Sequence, residues 1–178
     1  SRRAGCNMSP PAPGTPTDIS LALDTHVHFY PQFDVGAALD AAATNLQRVI
    51  DAHHLENACP ALLWTRFARE IDVRQRLLDD GTRCGGWHAE TVSDDAPGFM
   101  VRHPSGRRLF IFVGMQLVSA EGLEVLVAGC HENSGERLPV EDIIQHYSRR
   151  HLVILPWGVG KWFGRRGRLV EKLLEGPL

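Results

Sequence analysis

Residues 24 to 28, Asp-Thr-His-Val-His, set two imidazoles two positions apart with a carboxylate two positions before them. In an extended strand the side chains at i, i+2 and i+4 leave the same face, so Asp24, His26 and His28 are expected to project together. Neutral imidazoles suit Zn, Fe, Mn or Ni, and two on one strand can grip one ion. Asp24 would then orient a ring, ligate a second ion or serve as a catalytic carboxylate. A bound divalent ion lowers the pKa of water toward about 7, which makes hydroxide available at neutral pH. The plainer alternative is a polar strand end whose histidines hydrogen-bond to their neighbours.

Positioning these residues falls to a chain of alternating strands and helices. Residues 19–27 alternate with strand parity, and residues 34–54 carry Val35, Leu39, Ala42, Leu46, Val49 and Ile50 at helical spacing, with Asp34 as the N-cap. A second strand follows over "ACPALLWTRF" and a short helix over "AREIDVRQRLLDDG", ended by Gly81. "WHAETVS", "GFMVRH" and "RRLFIFVGMQLVS" read as strands, the last two joined by a hairpin turn at "HPSG". "LEVLVAGC" and "HLVILPWG" are further strands, while "PVEDIIQHYSRR" and "GRLVEKLLEG" are helices. Short, continuously apolar strands between helices imply parallel packing. The expected fold is therefore α/β, an incomplete or distorted (β/α) TIM-like barrel with an antiparallel hairpin insertion around residues 86–120. A full barrel takes about 200 residues or more, so truncation at the C-terminus is part of that expectation.

Composition sets the outer bounds. The chain has 178 residues, 43% hydrophobic and 22% charged, which suits one globular domain able to bury a core. Residues 1–18, rich in Pro, Gly, Ser and Thr, read as a flexible leader, with the domain over 19–178. A net charge of −2 gives no average field that favours nucleic acid or an anionic membrane, although a local basic patch remains compatible with it. Four scattered cysteines without a CxxC pair, and no apolar run long enough to span a bilayer, fit a cytoplasmic protein.

Other polar groups compete for a place at the site. His131 and Glu132 follow a buried strand and so can reach the face of His26; a polar loop is the alternative. His88 and Glu90 read as a solvated edge, and His53 and His54 as cations at a helix end. "PWGVGKWFGRRGR", residues 156–168, combines glycines, tryptophans and four cations. Its glycine amides, Lys161 and Arg165 could hold a phosphate, and Trp157 and Trp162 beside arginines could equally form a protein contact.

The stretches "DTHVHFYPQFDVGAALDAAATN", "FIFVGMQLVSAEGLEVLVAG" and "RRHLVILPWG" resemble the polymerase and histidinol phosphatase (PHP) family of metal-dependent phosphoesterases and, more distantly, the amidohydrolases. The resemblance covers most of residues 19–160. It implies a barrel, a divalent metal (Zn, Mn or Fe) held by His26 and His28, and a small phosphorylated substrate; Asp24 as catalytic carboxylate, His131 as a further ligand from its position after a buried strand, and Lys161 and Arg165 as phosphate contacts complete the expected site. The chain departs from the family pattern at Arg66, at Gln116 where the family has a bridging glutamate, and at "ILPWG", which lacks a histidine. Glu121 or Glu124 would replace the carboxylate only if the strand register slipped. Two expectations follow: a metal-dependent hydrolase, or a chain that has kept the fold and serves as a binding or regulatory module. A third, hydrolysis of a C–N bond, needs a further His, Lys and Asp from later strands. Neither a membrane nor nucleic acid is expected as partner; a homo-oligomer or protein partner is compatible with exposed strand edges.

Overall fold

The first apolar run extends as β1 (Leu21–Val27). Asp34 then starts α1 (Val35–Ala52) by accepting the Ala37 N–H on its side chain at 3.0 Å, satisfying an amide that a helix start leaves without an intrahelical partner. Val35, Leu39, Ala43, Leu46 and Ile50 form the buried stripe of this helix, at the spacing an amphipathic helix needs. After it come β2 (Cys59–Arg66), α2 (Val73–Asp79), β3 (His88–Ala89), β4 (Gly98–Arg102), β5 (Arg108–Val118), β6 (Glu124–Ala128), α3 (Val140–Tyr147), β7 (Leu152–Ile154) and α4 (Arg165–Glu175). The structure is a computed structural model that describes residues 20–55, 57–66, 72–79, 84–90, 97–130, 137–158 and 160–176. The expected leader, the start of the second helix with Gly81, the end of "WHAETVS", and His131 with Glu132 lie outside the described residues.

The seven strands form one mixed sheet. β1 runs parallel to β2 and β2 parallel to β5, whereas β3 with β4, β4 with β5, β5 with β6 and β6 with β7 are antiparallel. β5 is long enough to serve two partners along one edge, β4 over its first half and β6 over its second. The handover falls at Val113, whose N–H donates to Pro97 O at 2.8 Å and whose carbonyl accepts the Gly129 N–H at 2.7 Å.

This topology corrects the expected barrel to an open sheet. A (β/α) barrel needs every strand parallel to its neighbours and the last paired to the first. Here β1 pairs with β2, and β7 with β6, and neither pairs with the other. The physical reason lies partly in the link between β5 and β6. It is too short for a parallel crossover, which takes a dozen or more residues, so the two strands can only form a hairpin. Ser119 closes it: its backbone N–H donates to Leu123 O at 2.9 Å and its hydroxyl accepts the Leu123 N–H at 3.2 Å.

Among the described residues, four helices pack on one face of this sheet. Leu109, Ile111 and Val113 of β5 join residues of α1 and α2 in one apolar cluster, and Met115 and Leu117 join residues of α3 and α4 in a second. Those five β5 positions share one parity and so one face. Gly114 and Gln116 belong to the other face, where no helix packs among the described residues.

Candidate metal centre

The end of β1 does not alternate simply. Asp24 pairs with Leu62 but Val27 pairs with Trp64, so three steps along β1 span two along β2. That extra residue is a bulge, which resets the alternation of side chains. Asp24 therefore keeps the parity of Ala22, and Val27 packs against the same helix-side cluster as Ala22. His26 and His28 turn to the opposite face. The expectation that Asp24 projects with the two histidines is corrected accordingly; its carboxylate instead accepts the His26 backbone N–H at 3.2 Å and pins the bulge.

On that opposite face the two rings meet Gln116. His26 Nε2 lies 2.8 Å and His28 Nε2 3.0 Å from Gln116 Oε1, and the two Nε2 atoms are 2.9 Å apart. The rings stand edge to face with centroids 4.8 Å apart, and Tyr30 lies beside His28 at 5.8 Å. Gln116 stands on β5, one strand beyond β2, whose Thr65 is fully buried and donates its hydroxyl to Val27 O at 3.3 Å. Thr65 pairs with Gly114. A Cβ at Gly114 would stand 2.6 Å from Val127 O and 3.0 Å from Leu63 Cδ1, so only glycine lets the strands beside Gln116 close up.

Hydrogen bonds among these three atoms cannot fill all three edges of the triangle at once. Gln116 Oε1 only accepts, and each Nε2 either donates or accepts. If both rings donate to Oε1, two N–H groups face each other; if one ring donates to the other, the second turns a lone pair toward Oε1. Rotating the amide to present its NH2 moves the conflict to another edge without removing it. A cation on the axis of the triangle engages all three lone pairs at once. With bonds of about 2.0–2.1 Å, adjacent octahedral donors stand about 2.8–3.0 Å apart and tetrahedral ones about 3.3–3.4 Å apart. The observed edges fit one face of an octahedron, so these residues fit a six-coordinate divalent ion. The set has two imidazoles and one amide oxygen. Among the described residues, no three His, Cys, Asp or Glu side chains gather at any one point.

The remaining candidates are placed elsewhere. Lys161 pairs with Glu124, which lies opposite Val118 in the ladder, two residues along β5 from Gln116 and on the same face. Arg165 opens α4 and is exposed. Arg66 ends β2 with the parity of Leu62 and Trp64, on the helix side. Glu121 caps α3: its carboxylate accepts the Val140 N–H at 3.1 Å. Burial alone would raise the Glu121 pKa, but hydrogen bonds from Ser119, its own amide and Val140 outweigh that and hold it below its ordinary value. Glu90 pairs with Arg102, and His88 stands exposed at a strand edge. An open hollow of about 550 Å³ runs along α3, lined by Leu138, Asp142, His146, Tyr147 and Arg149 among others; no triad residue borders it. Thr65 and Gly114 were not singled out from the sequence. The glycine interrupting the apolar run "FIFVGMQL" was the available signal for Gly114.

Comparison with protein-family models, with curated proteins and with solved structures finds no match to any of the three.

Proposed function

We propose that this chain is a metal-dependent hydrolase-like protein in which His26, His28 and Gln116 hold one divalent ion, Zn, Mn or Fe, and act on a small phosphorylated molecule. The observation that carries the reading is the triangle of Nε2, Nε2 and Oε1 atoms, whose three edges match donors on one divalent ion and of which hydrogen bonds among the three atoms can fill only two. Bound there, the ion would supply a water of lowered pKa, with three further positions open to water and substrate. The site sits where the parallel strands β1, β2 and β5 approach their C-terminal ends, the edge at which open α/β sheets bind ligands.

The chain's own residues have separate tasks. His26 and His28 supply the nitrogen donors, and Asp24, through the His26 amide, holds the bulge that turns both rings to one face. Thr65 and Gly114, paired across β2 and β5, share the face of Gln116. Lys161, held by Glu124 on the Gln116 face of the β5–β6 hairpin, would meet a phosphate approaching from that side. This reading keeps the metal chemistry implied by the PHP resemblance and dispenses with the barrel.

Gln116 favours a second reading, in which the ion and a phosphorylated ligand are bound without turnover. A neutral amide leaves more of the ion's charge uncompensated than a carboxylate does. The two readings separate on one assay: release of phosphate from a generic aryl phosphate by the metal-loaded chain, measured beside His26→Ala. Hydrolysis lost in the variant supports the enzyme; stoichiometric metal without hydrolysis supports the binding module; neither metal nor hydrolysis contradicts both.

A further inference from the structure

The net charge of −2 conceals a strong segregation. Residues 143–170 contain six Lys and Arg (Arg149, Arg150, Lys161, Arg165, Arg166, Arg168) and no Asp or Glu, leaving 13 cations against 21 acids elsewhere. This part of the chain and the last turn of α4 display the most exposed large hydrophobic side chains among the described residues. Trp157 is 72% exposed, Phe163 70% and Leu174 72%, with Leu152 at 61%.

Within this segment some side chains anchor and others protrude. Lys161 pairs with Glu124, Trp162 packs against the cluster beneath α3 and α4, and Arg166 donates to Gly122 O and Gly160 O, each at 3.3 Å. These contacts fix residues 160–166 to the body of the protein. Trp157, Phe163, Arg165 and Arg168 are left facing solvent. The apolar stripe of α4 is already spent on the core through Val170 and Leu173, so the protruding aromatics are not part of an unburied helix face.

We infer that residues 157–158 and 160–168 form a peripheral docking surface for an anionic lipid bilayer, with Trp157 and Phe163 entering the headgroup region and Arg165 and Arg168 meeting lipid phosphates. Two features favour a bilayer. Tryptophan and phenylalanine standing proud of the surface suit a soft medium that has no matching pocket. The cations around them supply attraction to acidic headgroups. Such contact needs no spanning segment, and no described helix is long and apolar enough to cross a membrane.

The test is co-sedimentation of the full chain with vesicles of phosphatidylcholine alone, and of two parts phosphatidylcholine to one part phosphatidylserine. The inference expects binding to the anionic vesicles only, weakened by salt. It expects roughly tenfold or greater loss in an Arg165→Glu/Arg168→Glu variant and a clear loss in Trp157→Ala/Phe163→Ala, with circular dichroism unchanged in both. Equal partition to the two vesicle types, no partition to either, or variants that bind as the wild type does would overturn it. So would tighter binding to a single-stranded oligonucleotide or an acidic peptide, which would reassign the surface. None of these outcomes depends on the metal site.

Discussion

His26 Nε2 and Gln116 Oε1 stand 2.8 Å apart although ninety residues separate them in the chain. The contact exists because a bulge turns His26 away from the helices and because β5, which carries Gln116, is the strand next to β2. Replacing Gln116 by Glu keeps the reach of the side chain and adds a negative charge at the ion. Divalent affinity rises with ligand charge, so Gln116→Glu is expected to tighten Mn or Zn binding by roughly tenfold or more, read by calorimetric titration. Unchanged or weaker binding in a folded Gln116→Glu protein would count against Oε1 as a ligand.

Gly114 lies under the same face, with Val127 O only 2.6 Å from where a Cβ would be. Because that neighbour is backbone, the sheet itself must shift. Gly114→Ala is expected to cost about 1–3 kcal/mol, seen as a lower urea midpoint with an unchanged slope, and to weaken metal binding by displacing Gln116. A variant as stable as the wild type would show that β5 and β6 are not packed this closely.

Much of this fold could be read from residue patterns, and the parts that could not have identifiable causes. Asp34 as the cap of α1 and the "HPSG" turn between β4 and β5 follow from local chemistry, and both are found where that chemistry put them. Strand direction is a non-local property. The run from Gln116 to Val127 holds two apolar strands, and their continuous hydrophobicity suggested parallel packing. The brevity of the link through Ser119 and Glu121, to which the sequence reading gave no weight, is what dictates the hairpin. The bulge in β1 left no pattern at all, since Thr25 is an ordinary strand residue; simple alternation therefore put Asp24 on the wrong face. Gln116 was noticed only as a departure from a family pattern, because an amide on a strand carries no signal until its neighbours across the sheet are known.

Glu121 gives a prediction in pH. Its pKa is lowered in the folded protein, so the unfolded chain binds the proton more tightly. Its stabilisation is present above the ordinary glutamate pKa and is lost as pH falls through the folded value. At neutral pH, Glu121→Gln is expected to cost about 0.5–1 kcal/mol as a weakened helix cap. The gap to the wild type should close on acidification below the usual glutamate range. A gap that persisted at low pH would mean that the carboxylate charge is not what caps α3.

The central claim is that His26, His28 and Gln116 bind an ion, and elemental analysis of the purified chain beside His26→Ala and His28→Ala tests it most directly. The account predicts close to one equivalent of Zn, Mn or Fe per chain after incubation with these ions, and loss of most of it in either variant while circular dichroism is unchanged. No bound metal in the wild type, or the same metal content in all three proteins, would contradict it.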